Sequence, residues 1–142
     1  MVKRAPIFAA LLFLLSTVGR AGFIGRKQTY AVRGQLRCQS QPNKATNVVV
    51  KLKDEDPGWD DTIASGKTDS RGNFELRGSH REVTRIDPVL HIYHDCNDGK
   101  PCHRHWEMKL PKKYINSKEV YDMGSVNLEM KLPDEGRKCF TG

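Results

Sequence analysis

Apolar side chains recur at every second position along much of the chain, and polar or charged residues fill the positions between them. In the first such segment Tyr30, Val32 and Leu36 fall on one face, opposite Arg33 and Gln35. A period of two is typical of a half-buried β-strand, because successive side chains of a strand point to opposite faces. The pattern recurs around Val50, Phe74, Leu90, Trp106 and Leu128. It predicts six strands, a weaker seventh over residues 63–68 and an eighth near Tyr114.

One apolar face per strand means that the strands must pair into sheets that bury this face against a second layer. Short segments rich in turn residues connect them, at 56–58, 69–73 and 97–99. The chain is therefore predicted to be all-β, a two-sheet sandwich of seven to eight strands. A small closed barrel is the alternative. The polar stretch 112–122 is expected to hold a short helix or an irregular loop.

Residues 69–76 carry the most specific local turn signal. Asp69 can accept backbone N–H groups, Gly72 can adopt a positive φ, and Phe74 then begins a strand with its side chain pointing inward. The segment predicts a tight hairpin turn between two core strands.

The first residues have the layout of a secretory signal. Lys3 and Arg4 precede an apolar region over residues 5–18, and small residues follow up to Ala21. The apolar region is shorter than the roughly 18 residues that a spanning helix needs. We therefore expect a cleaved signal peptide, 1–21, a secreted domain, 22–142, and no transmembrane segment.

Cleavage after Ala21 removes Lys3, Arg4 and Arg20, so that the formal net charge of +7 falls to +4. The remaining basic residues are interspersed with Asp and Glu. A nucleic-acid-binding protein shows clustered Lys and Arg and a larger excess, so nucleic acid is not an expected partner. A weak attraction to anionic surfaces remains.

The four cysteines all lie in the predicted secreted domain, as Cys38, Cys96, Cys102 and Cys139. An even count in a small secreted domain indicates two disulfides, with three arrangements to choose from. The turn residues between Cys96 and Cys102 favour a local bridge that closes a hairpin. Cys38–Cys139 is then left as the long bridge, worth roughly 4–5 kcal/mol in the chain-entropy model.

Histidines and cysteines together also suggest a zinc site, because six candidate ligands lie within a short stretch. They are His91, His94, Cys96, Cys102, His103 and His105. Oxidation after secretion removes the thiolates, and the odd spacing of His91 and His94 puts these two side chains on opposite faces of one strand. We therefore expect neither a metal nor a cofactor, and exposed histidines beside a disulfide.

Two features suggest ligand binding. Trp59 lies within an acidic loop over residues 54–61, whose carboxylates lack the regular spacing of a calcium-binding EF-hand loop and are expected to be solvated. Trp59 either packs back on the sandwich or faces a partner. Scattered basic residues that can attract phosphate or lipid headgroups form the second feature, with Arg81, Arg85, Lys100 and Arg104 as candidates. An ordinary charged surface is the alternative.

Catalytic motifs are missing from the sequence. It contains no Gly-x-Ser-x-Gly turn, no phosphate-binding glycine loop and no His-Glu-x-x-His. We therefore expect that the protein is not an enzyme.

Several segments resemble the nematode transthyretin-like family. They are residues 30–38, 50–56, 66–76, 86–96 and 124–129, together with the terminal Cys139. The resemblance implies a transthyretin-type β-sandwich and an extracellular setting. Members of the family mostly lack an assigned biochemical activity, and bridging of phosphatidylserine on dying cells to an engulfment receptor has been proposed within it.

The resemblance favours a secreted binding protein whose partner is an extracellular receptor or a cell-surface lipid. A diverged hydrolase and a small-molecule carrier are the alternatives. The hydroxyisourate hydrolases of this fold end in Tyr-Arg-Gly-Ser, whereas this chain ends at Thr141 and Gly142. Convergence of His91, His103 or His105 with a basic residue in a pocket would favour catalysis, and dispersal would favour binding.

Overall fold

A computed structural model describes residues 25–141, which form eight strands and two 3₁₀ helices. The predicted signal peptide, 1–21, lies outside the described residues. The strands are β1 (Arg26–Arg37), β2 (Val49–Glu55), β3 (Asp60–Lys67), β4 (Asn73–Glu82), β5 (Pro88–His94), β6 (His103–Lys109), β7 (Tyr121–Asn127) and β8 (Gly136–Lys138). The 3₁₀ helices are Pro42–Ala45 and Lys112–Tyr114. Within residues 25–141, no helix is long and apolar enough to cross a membrane.

The strands form two sheets, which confirms the predicted sandwich. One sheet has three strands in the order β4-β1-β7, and the other has five in the order β3-β2-β5-β6-β8. All pairs are antiparallel except β1 and β7. A parallel pair needs a long connection between its strands, and here the whole five-stranded sheet except β8 is built between β1 and β7.

The core lies between the two sheets and is built from the alternating apolar positions. Val32 and Leu36 of β1 face Leu52, Leu90 and Trp106 of the larger sheet, and all five side chains are fully buried. Burial of this kind stabilises by roughly 25 cal/mol per Å² of apolar surface. The period-two pattern therefore sets both the strands and the face of each strand that is buried.

The turn before β4 forms as predicted, but the predicted hairpin is wrong, because β3 and β4 belong to different sheets. Asp69 Oδ1 accepts the backbone N–H groups of Arg71 at 2.9 Å and Asn73 at 2.8 Å. Gly72 has a φ of +80°, and a Cβ at this position would lie 2.1 Å from the carbonyl oxygen of Leu36. Only glycine fits this close approach, because a side chain would meet backbone that cannot move aside.

The predicted strand near Tyr114 is wrong. This residue ends a 3₁₀ helix that follows the extended Pro111, and Ile115 N–H donates to the Lys112 carbonyl at 3.0 Å. The eighth strand is instead the short, exposed β8 at Gly136–Lys138. Its three residues are all exposed and include no apolar side chain, so they carry no alternation that a sequence pattern could detect.

The predicted disulfide pairing is also wrong, because the bridges are Cys38–Cys96 and Cys102–Cys139. His103 pairs with Lys138 in the antiparallel β6–β8 ladder, so the residues next to them, Cys102 and Cys139, lie opposite each other. Cys38 and Cys96 follow β1 and β5, and their bridge ties the smaller sheet to the larger one. The hairpin spacing of Cys96 and Cys102 gave the wrong answer because β8 was not anticipated.

Candidate functional site

One end of the sandwich gathers the start of β1, the β2–β3 turn and the β4–β5 loop. Asp54 Oδ1, at the end of β2, accepts the backbone N–H of Asp87 at 2.7 Å. Glu55 N–H donates to the Asp87 carbonyl at 3.0 Å, and Arg26 pairs with Glu82 across β1 and β4. These bonds fix the two connections beside each other, so their exposed side chains share one surface.

A groove of about 390 Å³ opens at this end, and we call it the cationic groove. Its lining includes Arg26, Lys27, Arg85 and Val83, and none of its lining residues carries a carboxylate. Three positive charges with no internal neutralising partner favour an anionic ligand.

The floor of the cationic groove is set by Gln28, which is buried. Its Nε2 donates to the carbonyl of Thr84 at 2.8 Å, and its Oε1 accepts the N–H of Ile86 at 2.8 Å. The side-chain nitrogen and oxygen of Gln28 thus both hold the β4–β5 loop against β1. This fixed loop places Arg85 and Val83 on the rim.

Two large apolar side chains are exposed to solvent at the same end of the sandwich. Val83 is 75% exposed and Trp59, on the β2–β3 turn, is 70% exposed. Of the two positions considered for Trp59, packing back on the sandwich is therefore excluded. Val83 lines the cationic groove, whereas Trp59 lies on the acidic β2–β3 turn. Exposed aromatic and aliphatic side chains are typical of surfaces that enter the headgroup region of a membrane.

The four predicted basic candidates do not form one patch. Arg81 Nη1 donates to the Gly25 carbonyl at 3.1 Å, and Arg85 Nη2 donates to the Lys112 carbonyl at 2.9 Å, so both belong to the groove end. Lys100 lies on the β5–β6 loop, at the opposite end, where the bridge from Cys38 closes.

Arg104 is buried and uses all of its N–H donors inside the protein. Its guanidinium bonds to both carboxylate oxygens of Glu135 and to the carbonyls of Cys96, Leu128 and Met130. Five donors meet five acceptors, so no donor is left for a ligand. Arg104 therefore holds the β7–β8 connection to the sheet.

A group of carboxylates, which we call the acidic cluster, lies at the same end as the cationic groove. It contains Asp56, Asp61 and Glu82, whose oxygens lie within 4.8 Å of one another. His80 Nε2 lies 2.9 Å from Glu82 Oε1 and 3.3 Å from Asp61 Oδ2. Negative charge beside the groove restricts the orientations in which this end can meet an anionic surface.

The expectation of exposed histidines beside a disulfide is wrong, because His91, His94 and His105 are buried. His103 Nδ1 lies 2.8 Å from Asp95 Oδ1, and His94 packs edge-on against the Trp106 ring. His91 and His105 do converge, with Nδ1 and Nε2 2.8 Å apart. The opposite faces predicted for His91 and His94 are confirmed, since His94 faces the core.

Sequence reasoning missed Arg26, Lys27 and Val83. Arg26 and Lys27 lie at the start of the first strand, some 60 residues away in sequence from the β4–β5 loop. Only the β1–β4 register, in which Lys27 pairs with Arg81, brings these residues to one end.

The fold and this end of the molecule define a disulfide-bonded two-sheet sandwich with a charged loop surface. A model of the transthyretin-like family matches residues 33–111. Transthyretin-like protein 5 of Caenorhabditis elegans is 47% identical over 138 residues, covering 92% of this chain and 98% of the relative. Transthyretin-like protein 2 of the same organism is 45% identical over 141 residues, covering 91% and 94%. The chain belongs to the transthyretin-like family.

Proposed function

We propose that this chain is a secreted binding protein that docks on anionic phospholipid surfaces through the cationic groove. The observation that carries the proposal is the composition of the groove: three cations, no carboxylate and an exposed Val83 on the rim. Family membership and two disulfides support an extracellular setting. No catalytic role is proposed.

Electrostatic attraction supplies most of the expected affinity. A Lys or Arg close to an anionic leaflet contributes about 1 kcal/mol, and the attraction falls off within a Debye length of about 8 Å at physiological salt. Arg26, Lys27 and Arg85 together therefore contribute about 3 kcal/mol, which is roughly a hundredfold in affinity. Trp59 and Val83 add apolar contact once the surface is reached.

The test is co-sedimentation with vesicles of phosphatidylcholine alone or with added phosphatidylserine. The wild-type protein should bind only the anionic vesicles, and added salt should weaken the binding. Replacing Arg26, Lys27 and Arg85 together by glutamine should reduce the affinity about a hundredfold. Lys100→Gln is the matched control, because Lys100 lies at the other end and should leave the affinity unchanged.

The acidic cluster provides a second test, in which a substitution should strengthen lipid binding instead of weakening it. Asp61→Asn removes a negative charge near the docking surface, so it should strengthen binding to phosphatidylserine vesicles. Equal binding by the triple glutamine variant and the wild type would reject the groove as the lipid site. Binding that is indifferent to lipid charge would reject anionic lipid as the ligand, and the absence of binding at low salt would leave a protein receptor as the partner class.

A further inference from the structure

A second cluster lies on the outer face of the five-stranded sheet, away from the cationic groove. In the β5–β6 ladder His91 pairs with Glu107, and Tyr93 pairs with His105. All four side chains point to the same face, since they alternate with the core-facing Ile92 and Trp106. The register of the β5–β6 ladder thus brings two imidazoles and one carboxylate together.

The ligand atoms of this cluster are spaced for one small cation. His91 Nδ1 lies 2.8 Å from His105 Nε2, and Glu107 Oε1 lies 4.0 Å from His91 Nδ1. Tetrahedral zinc with Zn–N bonds of about 2.0 Å places its ligand atoms about 3.3 Å apart, so the imidazoles need to separate by only about half an ångström. Glu107 can move inward freely because its side chain is 54% exposed.

Burial makes the two imidazoles unusual for a sheet surface. The side chains of His91 and His105 are only 3% and 5% exposed, and His91 Nε2 has no hydrogen-bond partner. The carboxylate of Asp60 lies 3.5 Å from this unpartnered nitrogen. A metal on Nδ1 fixes the proton of His91 on Nε2, where it faces Asp60, as in the carboxylate–histidine–metal arrangement common to protein metal sites.

The set of donor atoms suits a metal. One ligand atom each from His91, His105 and Glu107 lies within 4.8 Å of the other two. The cysteines are bonded to each other, so no thiolate competes for the ion. Imidazole nitrogen with a carboxylate is a ligand set that suits zinc.

We propose that His91, His105 and Glu107 form a Zn²⁺ site, with a solvent molecule in the fourth position and Asp60 orienting His91. This ligand set differs from the zinc ligands that the sequence suggested, because it includes no cysteine and neither His94 nor His103. The proposal departs from the expectation, drawn from the sequence, that the protein holds no metal.

Isothermal titration calorimetry of the disulfide-bonded protein with zinc chloride tests the site. The wild type should bind one ion, and Glu107→Gln, which removes a ligand without disturbing the buried rings, should weaken the affinity by at least about tenfold. Asp60→Asn should weaken it by about tenfold through the orientation of His91. His103→Gln is the matched control, because His103 lies on the same strand and bonds to Asp95 instead.

A second readout identifies the ligands directly. In NMR spectra of the imidazole nitrogens, zinc should shift the resonances of His91 and His105 and leave those of His94 unchanged. Zinc should also raise the melting temperature of the wild type, but less that of Glu107→Gln, since binding to the native state stabilises it. Equal zinc affinity of wild type and Glu107→Gln, or zinc-dependent shifts confined to other histidines, would overturn the proposal.

Discussion

The buried guanidinium of Arg104 carries the sharpest stability prediction. Its side chain is 5% exposed and its partner Glu135 is 18% exposed, so the pair is poorly screened by solvent. Arg104→Met removes all five donors and leaves a buried carboxylate and three carbonyls without their partner. Breaking a buried pair in this way costs about 3–5 kcal/mol.

Arg104→Lys tests whether the positive charge alone stabilises the fold or whether the hydrogen-bond geometry of the guanidinium is also needed. Lysine keeps the positive charge but has three donors, so at least two of the five acceptors lose their hydrogen bond. At about 1–3 kcal/mol for each unsatisfied buried group, the expected loss is at least about 2 kcal/mol. For a chain of this length that corresponds to a fall in Tm of roughly 10 °C.

Urea and thermal unfolding under non-reducing conditions measure both variants. Arg33→Lys is the control, because Arg33 and its partner Asp122 are both more than half exposed and such pairs contribute little. Should Arg104→Lys and Arg33→Lys prove equally stable, the hydrogen-bond network around Arg104 would have no energetic role.

The same pair predicts a pH dependence. Hydrogen bonds from Arg104 hold the pKa of Glu135 below its ordinary value of 4.5. Because the folded-state pKa is the lower one, the stabilisation is complete above about pH 4.5 and is lost as the pH falls through the folded-state value. The wild type should therefore lose more stability on acidification below pH 4.5 than Glu135→Gln does.

Two further predictions concern the covalent and backbone constraints. Peptide mapping without reduction should recover Cys38 with Cys96, and recovery of a different pairing would refute the register of β8. Serine substitution of either cysteine pair should cost about 4 kcal/mol in the free energy of unfolding measured with urea, since the bridges span 58 and 37 residues. Gly72→Ala should destabilise by more than about 1 kcal/mol, because the new Cβ would meet the Leu36 carbonyl. Gly99→Ala, which meets no atom within 4 Å, is its control, and similar losses for both would contradict the close approach.

The strands that could be predicted are those with one buried face. Leu52, Leu90 and Trp106 lie at alternating apolar positions, and each is fully buried where the pattern placed it. β8 has no buried residue, and β7 runs from Tyr121 to Asn127, so that it ends before Leu128, around which the last strand was predicted. Such strands form because a neighbouring edge offers backbone hydrogen bonds, which local sequence does not reveal.

The disulfide pairing and the histidine pair depend on register, which is why sequence spacing misled. Cys96 and Cys102 are close in sequence, but the β6–β8 ladder gives Cys102 a different neighbour. His91 and His105 lie on different strands, and the register of the β5–β6 ladder brings them together. In both cases the contact is set by which strands pair and in what register, a property of the whole sheet.

The fluorescence of Trp59 tests the proposed docking surface most directly. The chain has two tryptophans, and Trp106 is fully buried, so only the 70% exposed Trp59 can respond to a change of surroundings at the surface. On addition of phosphatidylserine vesicles the emission should shift to shorter wavelength, and phosphatidylcholine vesicles should have no effect. An unshifted spectrum at saturating anionic lipid, or the same shift in Trp59→Phe, would contradict docking through this end of the sandwich.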